Sequence, residues 1–345
     1  MRGRELILGL IAGLAAGALI FRGGGREVPA AGPKPLWLVP DEVSADGGGL
    51  EEERGERIEL PSSVLTVSVD GEPVEMELEE YLFGVVAGEM SASSEPEALK
   101  AQAVAARTFT ALHMAGRAKC RSGCTVCDDP FCCQAYMKSE ELKKAWGSKY
   151  EENAGRIRAA VSGTSGVVAV YEGELISALY HASSGPATES SEEVFAVAMP
   201  YLVSVDSPEG DAGSVSAQYF EARELVEKLN AAFPEAKLSL PLGEGAIRIV
   251  SRTESGRVQK AAVGGAEVTG GMLRAALGLK STAFTLALDA QGAEFTCLGY
   301  GHGVGMSQCG ANEMAKNGSD YKEILAHYYT GTELAGLSFG RPPAN

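Results

Sequence analysis

Residues 85–109 read VVAGEMSASSEPEALKAQAVAARTF, and they place one acid, Glu89, between two helical patterns. Upstream, Leu78, Leu82, Val85, Val86 and Met90 recur at helical spacing, which predicts a short helix ending near Gly88. Downstream, Ser94-x-x-Glu97 reads as a capping box with Pro96 in the first turn, opening a second helix that runs to about Ala115. Its alanines permit close packing against a neighbour, and it carries Lys100, Gln102 and Arg107. A carboxyl group at the foot of an apolar helix meets the negative end of the backbone dipole and partial desolvation. Both hold the proton on, as a general acid at a glycosidic oxygen requires. The competing readings are a solvated helix-end glutamate or one paired with Arg107.

Just upstream of these helices, residues 62–80 (SSVLTVSVDGEPVEMELEE) alternate apolar and polar about Asp70-Gly71, a β-hairpin signature. Residues 23–57 are rich in Gly, Pro and Glu and keep no period, so they read as a linker. Residues 1–22 hold Arg2 and Arg4 before an uncharged run from Leu6 to Phe21, about 24 Å as a helix. We read them as an uncleaved membrane anchor, because no clean small-x-small cleavage site follows the run and Arg22 closes it directly; a signal peptide is the rival. Either way Arg2 and Arg4 stay inside and the remainder lies outside the cytoplasm. The formal charge of −16 argues against nucleic acid as a partner.

Farther along, SEELKKAWG predicts a short helix, and residues 156–180 predict strand-like pieces about glycine turns. Residues 206–295 alternate helical patches (ARELVEKLNAAF, GGMLRAALGL) with strand patches (AIRIVSRTES, AFTLALD) and read as an inserted α/β subdomain. The end, ANEMAKNGSDYKEILAHYY, predicts two helices joined at Asn317-Gly318. The fold class expected is α+β: mixed sheets with packed helices forming a groove over residues 58–340.

Other stretches carry chemistry-bearing side chains. Cys120, Cys124, Cys127, Cys132 and Cys133 fall within fourteen residues, at spacings that suit Zn²⁺. Outside the cytoplasm, disulfides are the equal alternative. In LYHASSGP, His181 leads into Ser183 and Ser184; no nucleophile elbow is present, so these hydroxyls read as sugar ligands or turn stabilisers. In YGHGVGMSQCGA, alternating glycines permit close backbone approach while His302, Ser307 and Gln308 project polar groups. No H-E-x-x-H pair supports a catalytic zinc centre.

Taken in order, EEYLFGVVAGEM, EALKAQAVAARTF, CDDPFCCQAY, YHASSGPATES, MPYLVSV and GHGVGMSQCGA resemble the stage II sporulation protein D / LytB-type family over residues 60–340. The resemblance implies lytic transglycosylase activity on peptidoglycan during engulfment of the forespore, with Glu89 catalytic. It implies a glycan groove lined by Lys100, Gln102, Arg107, His181, Ser183, Ser184, Tyr201, His302, Ser307 and Gln308. Some sporulation members bind zinc in the loop before CQAY. Here that implies Cys127, Cys132 and Cys133 with Cys124 as fourth ligand, although Phe131-Cys132 stands where an imidazole is usual. Cys309 stands where the family commonly has Tyr, and could pair with Cys297. An amidase that strips stem peptides is the implied partner. The alternative function is a non-catalytic enhancer of such an amidase.

Overall fold

The structure, a computed structural model, describes residues 57–210 and 213–340. The expected anchor over 1–22 and the linker, apart from its last residue, lie outside the described residues. Among the described residues no helix is long and apolar enough to cross a membrane.

The chain begins with β1 (Arg57–Leu60) and the hairpin β2 (Val64–Val69) and β3 (Glu72–Glu77), which turns at Asp70-Gly71 as expected. Then come α1 (Leu78–Glu89) and α2 (Pro96–Met114). Tyr81, Leu82, Val85 and Val86 of α1 are fully buried, each aliphatic contributing about 1.5–3 kcal/mol. Helix α2 is buried nearly all round, from Ala98 to His113. Its alanines carry out the role expected of them, letting several elements approach one axis.

The start of α2 differs from expectation. Pro96 takes the first helical position, so the N-cap is Glu95 rather than Ser94, and no side chain caps it. The Glu95 N–H donates instead to Asn312 Oδ1 at 2.8 Å, and Glu97 accepts from the Tyr321 N–H at 3.0 Å. Tertiary partners replace the capping box.

After β4 (Val126–Cys127) come α3 (Ser139–Trp146) and α4 (Tyr150–Ser162). Helix α4 was not expected and takes the start of the range read as strand-like from residue 156: Tyr150, Ala154, Ile157 and Val161 form one buried face at helical spacing, while GVVAVY, farther along that range, is a strand as expected. Strands β5 (Val167–Tyr171), β6 (Glu174–Leu175) and β7 (Tyr180–His181) follow, then the short α5 (Ser191–Phe195).

Residues 215–298 carry a core of their own, built on Phe220, Leu225, Leu273, Phe284 and Phe295. They comprise β8 (Val215–Glu221), α6 (Ala222–Ala232), β9 (Ile247–Arg252), β10 (Val258–Val263), β11 (Ala266–Thr269), α7 (Gly270–Leu277), β12 (Ala283–Leu288) and β13 (Gly292–Leu298). The first and last strands pair antiparallel, Val215 opposite Leu298, so the chain enters and leaves this region side by side.

The chain closes with β14 (Met306–Ser307), α8 (Gln308–Lys316), α9 (Tyr321–Tyr328) and β15 (Glu333–Phe339). The last strand was not expected; it lies between β1 and β5 in a four-stranded sheet. Strand β14 pairs in parallel with β7, setting Met306 beside Tyr180 and Ser307 beside His181. That two-residue ladder brings the two polar turns of the sequence together at the end of α1.

Candidate active site around Glu89

Glu89 is the last residue of α1 and is half-buried. Its Oε1 accepts from the Ala135 N–H at 2.8 Å and from the Tyr180 hydroxyl at 3.4 Å. Its Oε2 accepts from Gln308 Nε2 at 3.4 Å. Every one of these donors is neutral, and no second carboxylate is among the partners. Burial pushes the Glu89 carboxyl above the ordinary carboxylate range; the Ala135, Gln308 and Tyr180 bonds pull part-way back. Desolvation, one of the two causes expected from the sequence, favours the protonated form.

A layer of amides fixes these donors. Gln308 Nε2 also lies 3.3 Å from Gln102 Oε1, and Gln102 is fully buried on α2 with its own Nε2 unpartnered. The Tyr180 hydroxyl lies 2.8 Å from Gln134 Oε1, and Gln134 Nε2 reaches Thr110 at 3.0 Å. Of the residues expected as glycan ligands, Gln308 bonds Glu89 and Gln102 bonds Gln308. Tyr180, Gln134 and the Ala135 N–H were not expected. Alternation along β7 carried a signal for the first of them: with His181 on one face, Tyr180 faces the other.

The remaining expected glycan ligands lie elsewhere. Arg107 is fully buried in a bidentate pair with Glu79, Nε–Oε1 2.8 Å and Nη2–Oε2 2.7 Å. This removes both the groove role and the pairing with Glu89. Lys100 pairs with Glu97 at 2.6 Å. The Tyr201 hydroxyl accepts from the Ser177 N–H at 3.1 Å. Ser183, Ser184 and Ser307 all turn their hydroxyls to a buried acid, Glu209, which was not singled out from the sequence.

His181 and His302 pack ring to ring, with centroids 5.5 Å apart. Burial lowers both, followed for His302 by the nearby Arg274 and Arg257, which push it down to about 3. Neutral imidazoles serve here as hydrogen-bonding wedges: His302 Nδ1 accepts from the Val304 N–H at 3.0 Å. The glycine alternation has a packing reason as well. Gly303 (φ +86°) lies against the Arg257 guanidinium, and a Cβ there would approach Arg257 Cζ to 2.4 Å. Gly303→Ala is expected to destabilise by about 2 kcal/mol through strain and overpacking, read from the urea midpoint.

Four thiols gather beside this site. The sulfurs of Cys120, Cys127, Cys132 and Cys133 lie within 4.8 Å of one another. The fourth member is therefore Cys120 rather than Cys124, whose N–H bonds Ser122 instead. The Cys120–Cys132 and Cys132–Cys133 sulfur separations are both 3.9 Å. A tetrahedral Zn–S₄ centre with bonds near 2.3 Å needs about 3.8 Å between sulfurs, so the cluster fits a metal. The hydrogen bond from Cys133 holds the Cys127 thiol down at about 6, against the opposing effect of burial, while burial pushes Cys132 up to about 11. All the cysteines are free thiols, including Cys297 and Cys309, which do not pair.

A family model described as "Stage II sporulation protein" matches residues 72–171, the segment that holds Glu89 and the thiols. Stage II sporulation protein D of Bacillus amyloliquefaciens is 38% identical over 283 residues, 80% of this chain and 80% of that protein. This chain belongs to the stage II sporulation protein D family. The Bacillus subtilis (strain 168) member of the family is 39% identical over 263 residues, 75% of this chain and 74% of its own. A more distant relative is the amidase enhancer of the same strain. It is 29% identical over 302 residues, 73% of this chain and 40% of the enhancer.

Proposed function

We propose that this chain is a membrane-anchored lytic transglycosylase that cleaves peptidoglycan glycan strands during sporulation, with Glu89 as its single acid and base. The observation that carries this reading is the carboxyl group itself: half-buried, bonded only to neutral donors, and pushed by desolvation toward its protonated form.

In the proposed reaction, Oε1 takes the short bond from the Ala135 N–H while Oε2 has only the longer contact from Gln308, so the proton resides on Oε2. That proton passes to the glycosidic oxygen as it leaves C1 of the N-acetylmuramic acid. The resulting carboxylate takes the proton of the C6 hydroxyl while O6 bonds to C1, closing a 1,6-anhydro ring. The carboxyl group is regenerated and no water is consumed, so a second catalytic carboxylate is unnecessary, unlike in the two-acid hydrolases. The mean pull of Ala135, Tyr180 and Gln308 toward the ionised form eases the first transfer without emptying the acid. A groove over Glu89 to seat the glycan belongs to the same proposal. Mass spectrometry of purified glycan strands after digestion tests it: anhydro-ended products support the reading, and intact strands or reducing ends reject it.

The second reading is an enhancer that binds wall and stimulates a partner amidase, favoured by the similarity to the amidase enhancer. It predicts amidase stimulation that survives loss of the Glu89 carboxyl.

We also propose a structural zinc held by Cys120, Cys127, Cys132 and Cys133. Such a centre would clamp the loop whose next residues, Gln134 and Ala135, bond Tyr180 and Glu89. Protein purified under reducing conditions is expected to hold about one zinc per chain, the number one four-thiolate centre binds. Cys133→Ser is expected to lose the metal and lower the melting temperature. Metal-free protein with unchanged melting on adding zinc would reject the site.

A further inference from the structure

Glu209 is 3% exposed, yet it bonds no cation. Taking a carboxylate out of water costs several kcal/mol unless every lone pair finds a donor, and this one is supplied from two distant segments, residues 183–185 and Ser307, and from Ser207 in its own. Oε1 accepts from the Ser184 N–H at 2.6 Å, the Ser184 hydroxyl at 2.8 Å, the Ser207 hydroxyl at 3.4 Å and the Ser307 hydroxyl at 2.5 Å. Oε2 accepts from the Ser183 hydroxyl at 2.5 Å and the Gly185 N–H at 3.2 Å.

The two segments are those that supply Glu89. Ser307 is the N-cap of α8, accepting from the Gly310 N–H at 3.2 Å, and the next residue is Gln308, which reaches Glu89 Oε2. Ser183 and Ser184 continue directly from β7, whose first residue is Tyr180. One buried acid thus touches both arms, one residue from Gln308 and three from Tyr180. Ser207 extends the junction to α9 through the Tyr328 hydroxyl at 2.9 Å.

We propose that Glu209 is a positioning residue for the Glu89 centre, clamping the Ser183–Gly185 turn and the start of α8 so that Tyr180 and Gln308 meet Glu89 together. Its kinetic consequence rests on the glycan-cleaving reading; its geometric content does not. The acid acts as a template through hydroxyls and N–H groups and never touches substrate.

The experiment uses Glu209→Gln and Ser307→Ala in the full chain, with two readouts. Glu209→Gln keeps the side chain's size but turns one acceptor into a donor; Ser307→Ala removes the single hydroxyl joining Glu209 to α8. With glycan strands as probe, both variants are expected to lose about a hundredfold in kcat, the scale of a 1 Å misplacement, with KM within about threefold. A merely structural residue would lower the melting temperature and leave kcat of the folded fraction intact. The second readout is the NMR signal of the Gln308 side-chain amide, assigned by its absence in Gln308→Ala. In the otherwise native protein it is expected to shift on Glu89→Gln, and in either variant this response is expected to vanish. If the response persists in both, Glu209 does not position Gln308 and the proposal is overturned. Should Glu209→Gln fail to fold, Ser307→Ala decides alone. Lost response in a chain that cleaves no glycan would retain the positioning role and remove the lytic reading; cleavage with an unaltered response would do the reverse.

Discussion

Glu89→Gln is expected to reduce glycan cleavage by about a thousandfold or more, because one side chain supplies both proton transfers. The amide keeps the volume and can still accept from Ala135, so folding survives. It is expected to melt at higher temperature than the native chain at neutral pH. The sign follows from linkage. Burial raises the folded carboxyl above its unfolded value, so the native state binds the proton more tightly. Stability from this group is present at low pH and declines as pH rises from the unfolded value, about 4.3, through the raised folded one. At neutral pH the native chain carries that penalty and the amide does not. Activity depending on the protonated form falls over the upper part of the same window. Undiminished release of anhydro-ended glycan by Glu89→Gln would sink the assignment.

Arg107→Ala is expected to destabilise by about 4 kcal/mol, measured by urea unfolding. All five guanidinium N–H groups have acceptors: two on Glu79, then Val161 O at 3.1 Å, Val167 O at 3.2 Å and Thr164 Oγ1 at 3.4 Å. The arginine thereby ties α2 to α1, α4 and β5. Glu79 is 39% exposed, so the ion pair itself is screened and supplies the smaller part. Most of the loss comes from stranded carbonyls and the space vacated in the core. Arg107→Lys keeps the charge but offers only three donors in a different geometry, so about 2 kcal/mol is expected to go. A normal unfolding midpoint with weakened glycan affinity would restore the groove role read from sequence.

What the sequence disclosed follows the range over which its signals act. The hairpin at Asp70-Gly71 and helices α1, α2, α6, α7, α8 and α9 were legible because turn chemistry and apolar period are local. Helix α4 went unnamed because Gly155, Arg156 and Arg158 interrupt its short apolar period. Strand β15 was missed because its support comes from β1 and β5, far away in the chain. The same limit governs the site. Glu89, Gln102 and Gln308 could be singled out one at a time, but a basic residue on α2 looked like a ligand because its acidic partner sits on another element. Cys120 and Cys124 are equally plausible by spacing, and only the return of the loop onto Cys127 and Cys132 separates them. Glu209 carried no periodic signal, since its significance comes entirely from the serines that converge on it.

The order in which the neighbours of Glu89 occur along the chain has a consequence for synthesis. Ala135 follows 46 residues later, Tyr180 at 91 and Gln308 at 219. A ribosome delivers the acid 219 residues ahead of its last donor. Chains terminated before residue 308 therefore carry Glu89 without its finished surroundings, and the full set of donors closes on the carboxyl group only after α8 has begun to form.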